Sequence, residues 1–315
     1  MKKNPSKSEN STGSCLVQKD LICSQLKALR VKYEKPEYLF SDPIHLVHPY
    51  KDPRDLEIAA LITALFSYGN VRAICKFLAN LFSSMENSPY QFLSNPKNLA
   101  RLKGQLGVYR FQKEADIIEF LRVLSEIINE NKSQKNSPIF EIYFLDYKES
   151  SSPSNSLQSA QTGILEFQKN IQERLSFSSY GLNFLIGKPN KKAPNKRYNM
   201  FLRWMVGKNY PDFGYYTKIQ ESSILLPLDT HIIKIGKVLD LTKRNQPNLA
   251  MAQEITNTLS SIVNEPASRY DFALSRIGIL GKCRGEYVDN ICGTCEIQNI
   301  CQHFLLSKLR SNPKV

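Results

Sequence analysis

Residues 283–301 read CRGEYVDNICGTCEIQNIC and contain four of the chain's seven cysteines. Cys283, Cys292, Cys295 and Cys301 are spaced C-x8-C-x2-C-x5-C. Four thiolates so close in sequence can close around one metal centre, and both a structural Zn²⁺ and an iron–sulfur cluster accept four sulfurs. Zinc ribbons and fingers usually present two tight knuckles. Here one knuckle, Cys292 to Cys295, is flanked by a long upstream reach and a longer downstream step. That spacing suits a loop wrapped around a larger body such as a [4Fe–4S] cube, with zinc as the alternative. Cys15, Cys23 and Cys75 are scattered and show no ligand pattern.

Upstream of this loop the chain reads as helices. DPRDLEIAALITALFSYGN (52–70) predicts a buried helix, with Asp52 as N-cap, Pro53 in the first turn and Ser67-Tyr68-Gly69-Asn70 as its end. Apolar residues near helical spacing predict further helices over 19–33, 71–82, 89–92, 111–128, 164–175, 196–206, 229–239, 249–263 and 270–279. Strand-like alternation is nearly absent, so the expected class is all-α. Residues 1–18 are polar and read as a disordered tail. NENKSQKNSP and SSSPSNSLQSAQT read as flexible insertions near 129–162, around a short apolar helix at 139–147.

At 315 residues the chain has room for about two domains. Its 42% hydrophobic and 23% charged residues suit a soluble globular protein. A net charge of +13 favours a polyanionic partner, nucleic acid before an anionic membrane surface. The N-terminus, MKKNPSKSENSTGSC, has no apolar region of a signal peptide. No run approaches the roughly eighteen apolar residues of a membrane span. A cytoplasmic location follows, where thiols stay reduced and clustered cysteines read as metal ligands.

Two further segments carry chemistry. In Leu226-Pro227-Leu228-Asp229-Thr230-His231, Asp229 stands just before the apolar-periodic run Ile232, Ile233, Ile235, Val238, Leu239. It occupies an N-cap position, where a carboxylate stays ionised beside the helix dipole. Asn190-Lys191-Lys192-Ala193-Pro194-Asn195-Lys196-Arg197 is a basic turn leading into YNMFLRWMV, and a helix start with adjacent lysines suits phosphate. Phe201 and Trp204, on that helix with Leu202 and Met205, read as core.

The basic turn into a helix, the block L-D-T-H-I-x-K-I-x-x-x-L-x-L-T and the four-cysteine loop together resemble the helix-hairpin-helix DNA glycosylases of the endonuclease III class (the HhH-GPD superfamily). EIAALITALFSYGN (57–70), GVYRFQKEADII (107–118) and FALSRIGILGKC (272–283) are similar to other segments of that family, so the resemblance covers roughly residues 52–128 and 185–303. The KRYNMFLRWMV block followed by LPLDTH is most similar to a bacterial branch of unknown function. The chain also departs from the pattern. In the hairpin, Leu185 to Arg197, only Gly187 matches the glycine pattern. The first cysteine gap is longer, residues 209–225 form an insertion, and a glutamine of the probing loop is replaced around Phe66–Tyr68.

The resemblance implies two helical domains flanking a cleft. One is a helical barrel over 54–223. The other joins 19–53 to 224–315 and carries a cluster on the four cysteines. It implies a monomer, close to the nucleoid, that flips a damaged base out of double-stranded DNA and cleaves its N-glycosidic bond in base-excision repair. Asp229 would stabilise charge on the sugar. Lys196 would be the nucleophile of an AP lyase step, with Lys191 and Lys192 as rivals; without a lysine in reach, Asp229 would activate water. Gly187, Lys188, Lys191, Lys192 and Arg197 would meet DNA, and Tyr68 would fill the gap left by the base. Two other readings stand beside this one: a non-catalytic nucleic-acid-binding protein on the same scaffold, and a zinc-stabilised helical interaction module.

Overall fold

The computed structural model describes residues 10–132, 137–145 and 156–311, without the side chains of 10–18, 156–159, 309 and 311. Among these residues the chain is helical and has no β-strand, only a bridge between Tyr109 and Gln112. Its α-helices are α1 Asn10–Tyr33, α2 Pro53–Phe66, α3 Val71–Ser84, α4 Pro89–Leu93, α5 Glu114–Glu130, α6 Ser156–Glu173, α7 Tyr180–Ile186, α8 Lys196–Val206, α9 Thr230–Val238, α10 Leu249–Val263, α11 Asp271–Ile279, α12 Asp289–Cys292 and α13 Gln302–Ser311. None of them is long and apolar enough to cross a membrane.

The local chemistry sets the helix ends. Asp52 caps α2 by accepting from the Arg54 amide at 2.9 Å, with Pro53 in the first turn. Every α2 residue from Glu57 to Phe66 is buried. The helix stops where the Ser67 hydroxyl donates to the Thr63 carbonyl at 2.7 Å; Asn70 then caps α3. The helix expected from Phe111 begins instead at Glu114. A tight turn precedes it, closed by reciprocal backbone bonds between Tyr109 and Gln112, with Arg110 at φ +50°.

Buried apolar side chains form two clusters. One runs from Ile44 to Ile224 and centres on α2 packed against α8. Phe201 and Trp204 lie inside it, fully buried. The other combines Ile22, Leu26, Leu29 and Tyr33 of α1 with residues from Leu225 to Phe304. There α1 packs on α10 and α11, and α9 packs on α11.

Two stretches differ from the sequence-based expectation. Residues 10–18, expected in the disordered tail, continue α1, because no proline interrupts the run before Tyr33; residues 1–9 lie outside the described residues. Near 129–162, α6 already begins at Ser156, while 133–136 and 146–155 lie outside the described residues. The apolar stretch between is a 3-10 turn, Glu141–Phe144, anchored by Ile139, Phe140 and Phe144 in the first core. Residues 209–225, the stretch read as an insertion, supply core side chains. Tyr216 is buried, its amide donates to the Met205 carbonyl at 2.8 Å, and its hydroxyl donates to Glu57 at 2.6 Å.

Candidate functional site

A cavity of about 640 Å³ opens where the two cores meet. Asp229 and Lys196 line it together, although 33 positions separate them in sequence. The reason lies in the two helix starts. Asp229 caps α9 with Oδ1 alone, which accepts from the amides of His231 at 2.9 Å and Ile232 at 2.7 Å. Oδ2 has no hydrogen bond among the described residues. Lys196 is the first residue of α8, behind Asn195 in the left-handed conformation at φ +44°. Its ammonium forms no ion pair among the described residues. A close approach fixes the α9 wall: a Cβ on Gly278 would stand 2.1 Å from His231 Nδ1, so only glycine lets α11 pack this close to the α9 ring.

Gly187, Tyr68 and Arg197 also line the cavity. Gly187 ends α7 at φ +79°, a conformation that favours glycine, and a Cβ there would meet the Gln168 amide at 2.6 Å. Arg197 donates to the carbonyls of Leu65 at 2.6 Å and Phe184 at 2.5 Å, tying the end of α2 to α7. Its guanidinium also lies against the rings of Tyr68 and Phe184. The Tyr68 hydroxyl pairs with the Gln112 amide oxygen, and its ring packs edge-on against Tyr109 and Phe184. Lys188, Lys191 and Lys192 do not line the cavity. They stand exposed on the hairpin loop, which the Leu249 amide ties to the second core through the Lys192 carbonyl at 2.9 Å.

The sequence reading missed a buried charged network, of which Asp42, Asp271 and Arg276 line the cavity. Arg203 pairs with Asp271, and its Nη2 lies 3.2 Å from Asp212 Oδ1, close enough to pair as ions but out of line for a hydrogen bond. Arg276 Nη2 donates to Asp42 Oδ2 at 3.0 Å. Burial pushes Asp271 up to about 6 against the pull of Arg203, and the Asp229 charge adds to the rise. Burial likewise pushes Asp212 up to about 7. For Asp42 burial also raises the pKa, but Arg276 and Arg203 overcome it and hold the carboxyl below its usual range. A signal was available: Arg203 and Arg276 each interrupt an apolar helical run, FLRWMV and FALSRIGIL, and a charge buried there needs a partner. Gln168, which also lines the cavity from the polar helix α6, carried no such signal.

The four cysteines line one small pocket with Ile297 and Phe304. Its donor set suits thiolates. The Val288 amide donates to Cys292 Sγ at 3.3 Å, and the amides of Gly285 and Ile297 face the sulfurs of Cys283 and Cys295. Burial still pushes the Cys283 thiol up and the Cys295 thiol up to about 11. Among the described residues no three His, Cys, Asp or Glu side chains stand as one ion's ligands do.

A helical protein with two apolar cores, an ionisable cavity at their junction and a pocket framed by four cysteines is the class these features define. The chain belongs to the family described as a protein of unknown function (DUF2400), whose model matches residues 42–280. That span holds Lys196, Asp229, Asp271 and Arg276, and ends before Cys283. No curated protein and no solved structure matches the chain.

Proposed function

We propose that this protein is a DNA base-excision glycosylase with an HhH-GPD-like arrangement of two helical domains about the cavity. The observation that carries the reading is the meeting of Asp229 and Lys196 in one cavity, each at the start of a different helix. A flipped nucleotide would enter there, because its glycosidic carbon is out of reach in the stacked duplex. Asp229 Oδ2 would face the positive charge that develops on the sugar as the bond to the base breaks. Lys196, once deprotonated, would attack C1′ as the base leaves and form a Schiff base, from which the strand is cut. The exposed lysines of the 188–192 segment would meet phosphate.

Cys283, Cys292, Cys295 and Cys301 would hold a [4Fe–4S] cluster, with zinc as the alternative. The cluster would supply a structural crosslink, joining the loop to the second core through Ile297, Ile300 and Phe304.

A panel of duplexes, each with one damaged or deaminated base, tests the reading, with borohydride present to trap the Schiff base. Release of a base and a trapped adduct are the expected results. Tight duplex binding with no base released from any member would overturn it in favour of a non-catalytic nucleic-acid-binding protein.

A further inference from the structure

A row of aromatic rings in mutual contact runs from the cavity to the surface. Tyr68, which lines the cavity, packs edge-on against Phe184 with centroids 4.9 Å apart. Phe184 meets Phe111 at 4.6 Å, and Phe111 meets Tyr180 at 5.5 Å with the two ring planes at 89°. The outer pair is open to solvent: Phe111 is 40% exposed and Tyr180 69%. Local chain geometry puts the rings there. The closed turn from Tyr109 to Gln112 carries Arg110 and Phe111 at its tip. Tyr180 and Phe184 stand one turn apart on the same face of α7. Contiguous apolar surface left in water in this way marks an interaction site.

Charge decides what covers it. The Arg110 guanidinium lies 5.6 Å from the Phe111 centroid and 5.8 Å from that of Tyr68. A Cβ on the cavity-lining Gly69 would stand 2.0 Å from Arg110 Nη1, so the cation rests on the cavity rim. Arg110 and Lys113 are exposed and form no ion pair among the described residues. The carboxylates of the same segment are already engaged. Glu114 accepts from the amides of Gly104 and Leu106, both at 2.9 Å, and Asp116 accepts from the Lys113 amide at 2.8 Å and the Ser179 hydroxyl at 2.6 Å. An apolar protein face would cover these cations without pairing them. A nucleic-acid strand supplies a flat π-face for a ring and a phosphate for each cation. The base must be unpaired, because in a duplex its neighbours cover both faces.

We propose that Phe111 and Tyr180 form a stacking platform for an unpaired base of a DNA strand, with Arg110 and Lys113 meeting its phosphates. Two rings at right angles make a corner, in which a base stacks on one face and meets the other ring side-on. Neither ring lines the cavity, so the platform takes a base other than the extruded one. It rests on the glycosylase reading only for DNA as the polymer.

The test compares binding of the full chain to a strand of about twelve thymidines and to a strand of equal length in which tetrahydrofuran replaces every nucleoside. Both carry the same charge, so phosphate contacts cancel in the comparison. The thymidine strand should bind at least about fivefold more tightly, the effect of stacking one base on one aromatic ring. Phe111→Ala with Tyr180→Ala should bring the two strands within about twofold. Phe111→Leu with Tyr180→Leu keeps an apolar contact with Phe184 and should do the same if the alanine protein folds poorly. Tyr180→Trp should keep the preference, and the thymidine strand alone should quench its fluorescence, since the chain's one tryptophan, Trp204, is fully buried. Equal binding of the two strands by the unsubstituted protein, or a preference that survives both double substitutions, would overturn the platform and leave base excision to its own test. So would self-association that the leucine protein loses, which would make the patch an interface between copies of this chain. Failure to bind either strand while duplex is bound would overturn the platform alone. Failure to bind any strand or duplex would overturn the glycosylase reading and this inference with it.

Discussion

The Arg203 guanidinium on α8 and the Asp271 carboxylate on α11 form an ion pair at the junction of the two apolar cores, both almost fully buried. Asp212 stands beside them, and Arg276 with Asp42 completes the network. Removing the cation while its carboxylates stay buried is costly. Arg203→Met should destabilise the protein by about 3–5 kcal/mol in urea denaturation. A loss below about 1 kcal/mol would mean that the pair does not join the cores.

This network sets two guanidinium groups against three carboxylates, so one negative charge is in excess when all are ionised. The folded-state pKa values of Asp212 and Asp271 are raised, to about 7 and about 6, mainly by burial. The folded protein therefore holds protons that the unfolded chain releases from about pH 4 upward. Their contribution favours folding at low pH and is lost as pH rises through about 7. Glu57, buried and raised to about 7, acts in the same direction. Stability measured in urea at about pH 5 and pH 8 should fall across that interval, and Asp212→Asn should reduce the fall. A profile unchanged by the substitution would put the titrating proton elsewhere.

Anaerobically purified protein should be brown and hold about four irons per chain. Removing the metal should loosen the second core around Ile297, Ile300 and Phe304, seen as a lower melting temperature. Stoichiometric zinc without iron would reject the cluster.

Binding to duplex DNA should weaken steeply with salt, because lysine–phosphate contacts release counterions. Lys191→Glu with Lys192→Glu should weaken binding to all sequences alike and lower the salt slope by about 2. Both lysines are exposed, and neither side chain forms a hydrogen bond or ion pair among the described residues, so the melting temperature should hold. An unchanged slope would remove the hairpin from the DNA contact.

Asp229→Asn should abolish base excision and leave lesion binding within a few fold, since the lost interaction belongs to the transition state. Asparagine still caps α9, so the roughly 1 kcal/mol of a lost cap should not enter. Lys196→Gln should abolish the borohydride-trapped adduct. Wild-type excision by the Asp229→Asn protein would reject the assignment of Asp229. An adduct surviving Lys196→Gln would move the nucleophile to another lysine.

Local chemistry was legible in the sequence. Asp52-Pro53 and Asp229-Thr230 mark helix starts because a side chain there satisfies amides two and three residues away. Trp204 and Phe201 were legible as core because helical spacing puts them on the α8 face with Leu202 and Met205. The start of α5 was not, because a left-handed Arg110 in a closed turn leaves no mark in hydrophobic period.

The all-helical class, the capped start of α9 and the crowding of four cysteines into residues 283–301 were determined by the sequence itself, since each depends on contacts within a few residues. Tertiary structure alone decided that Lys196, Asp229, Gln168 and Arg276 line one cavity, and that Arg197 and Tyr68 are committed to neighbours inside the protein. These four cavity residues come from four helices, and what joins them is the burial of two apolar cores against each other. That driving force has no direction and acts between residues far apart in the chain, so no local pattern records which polar groups it brings face to face.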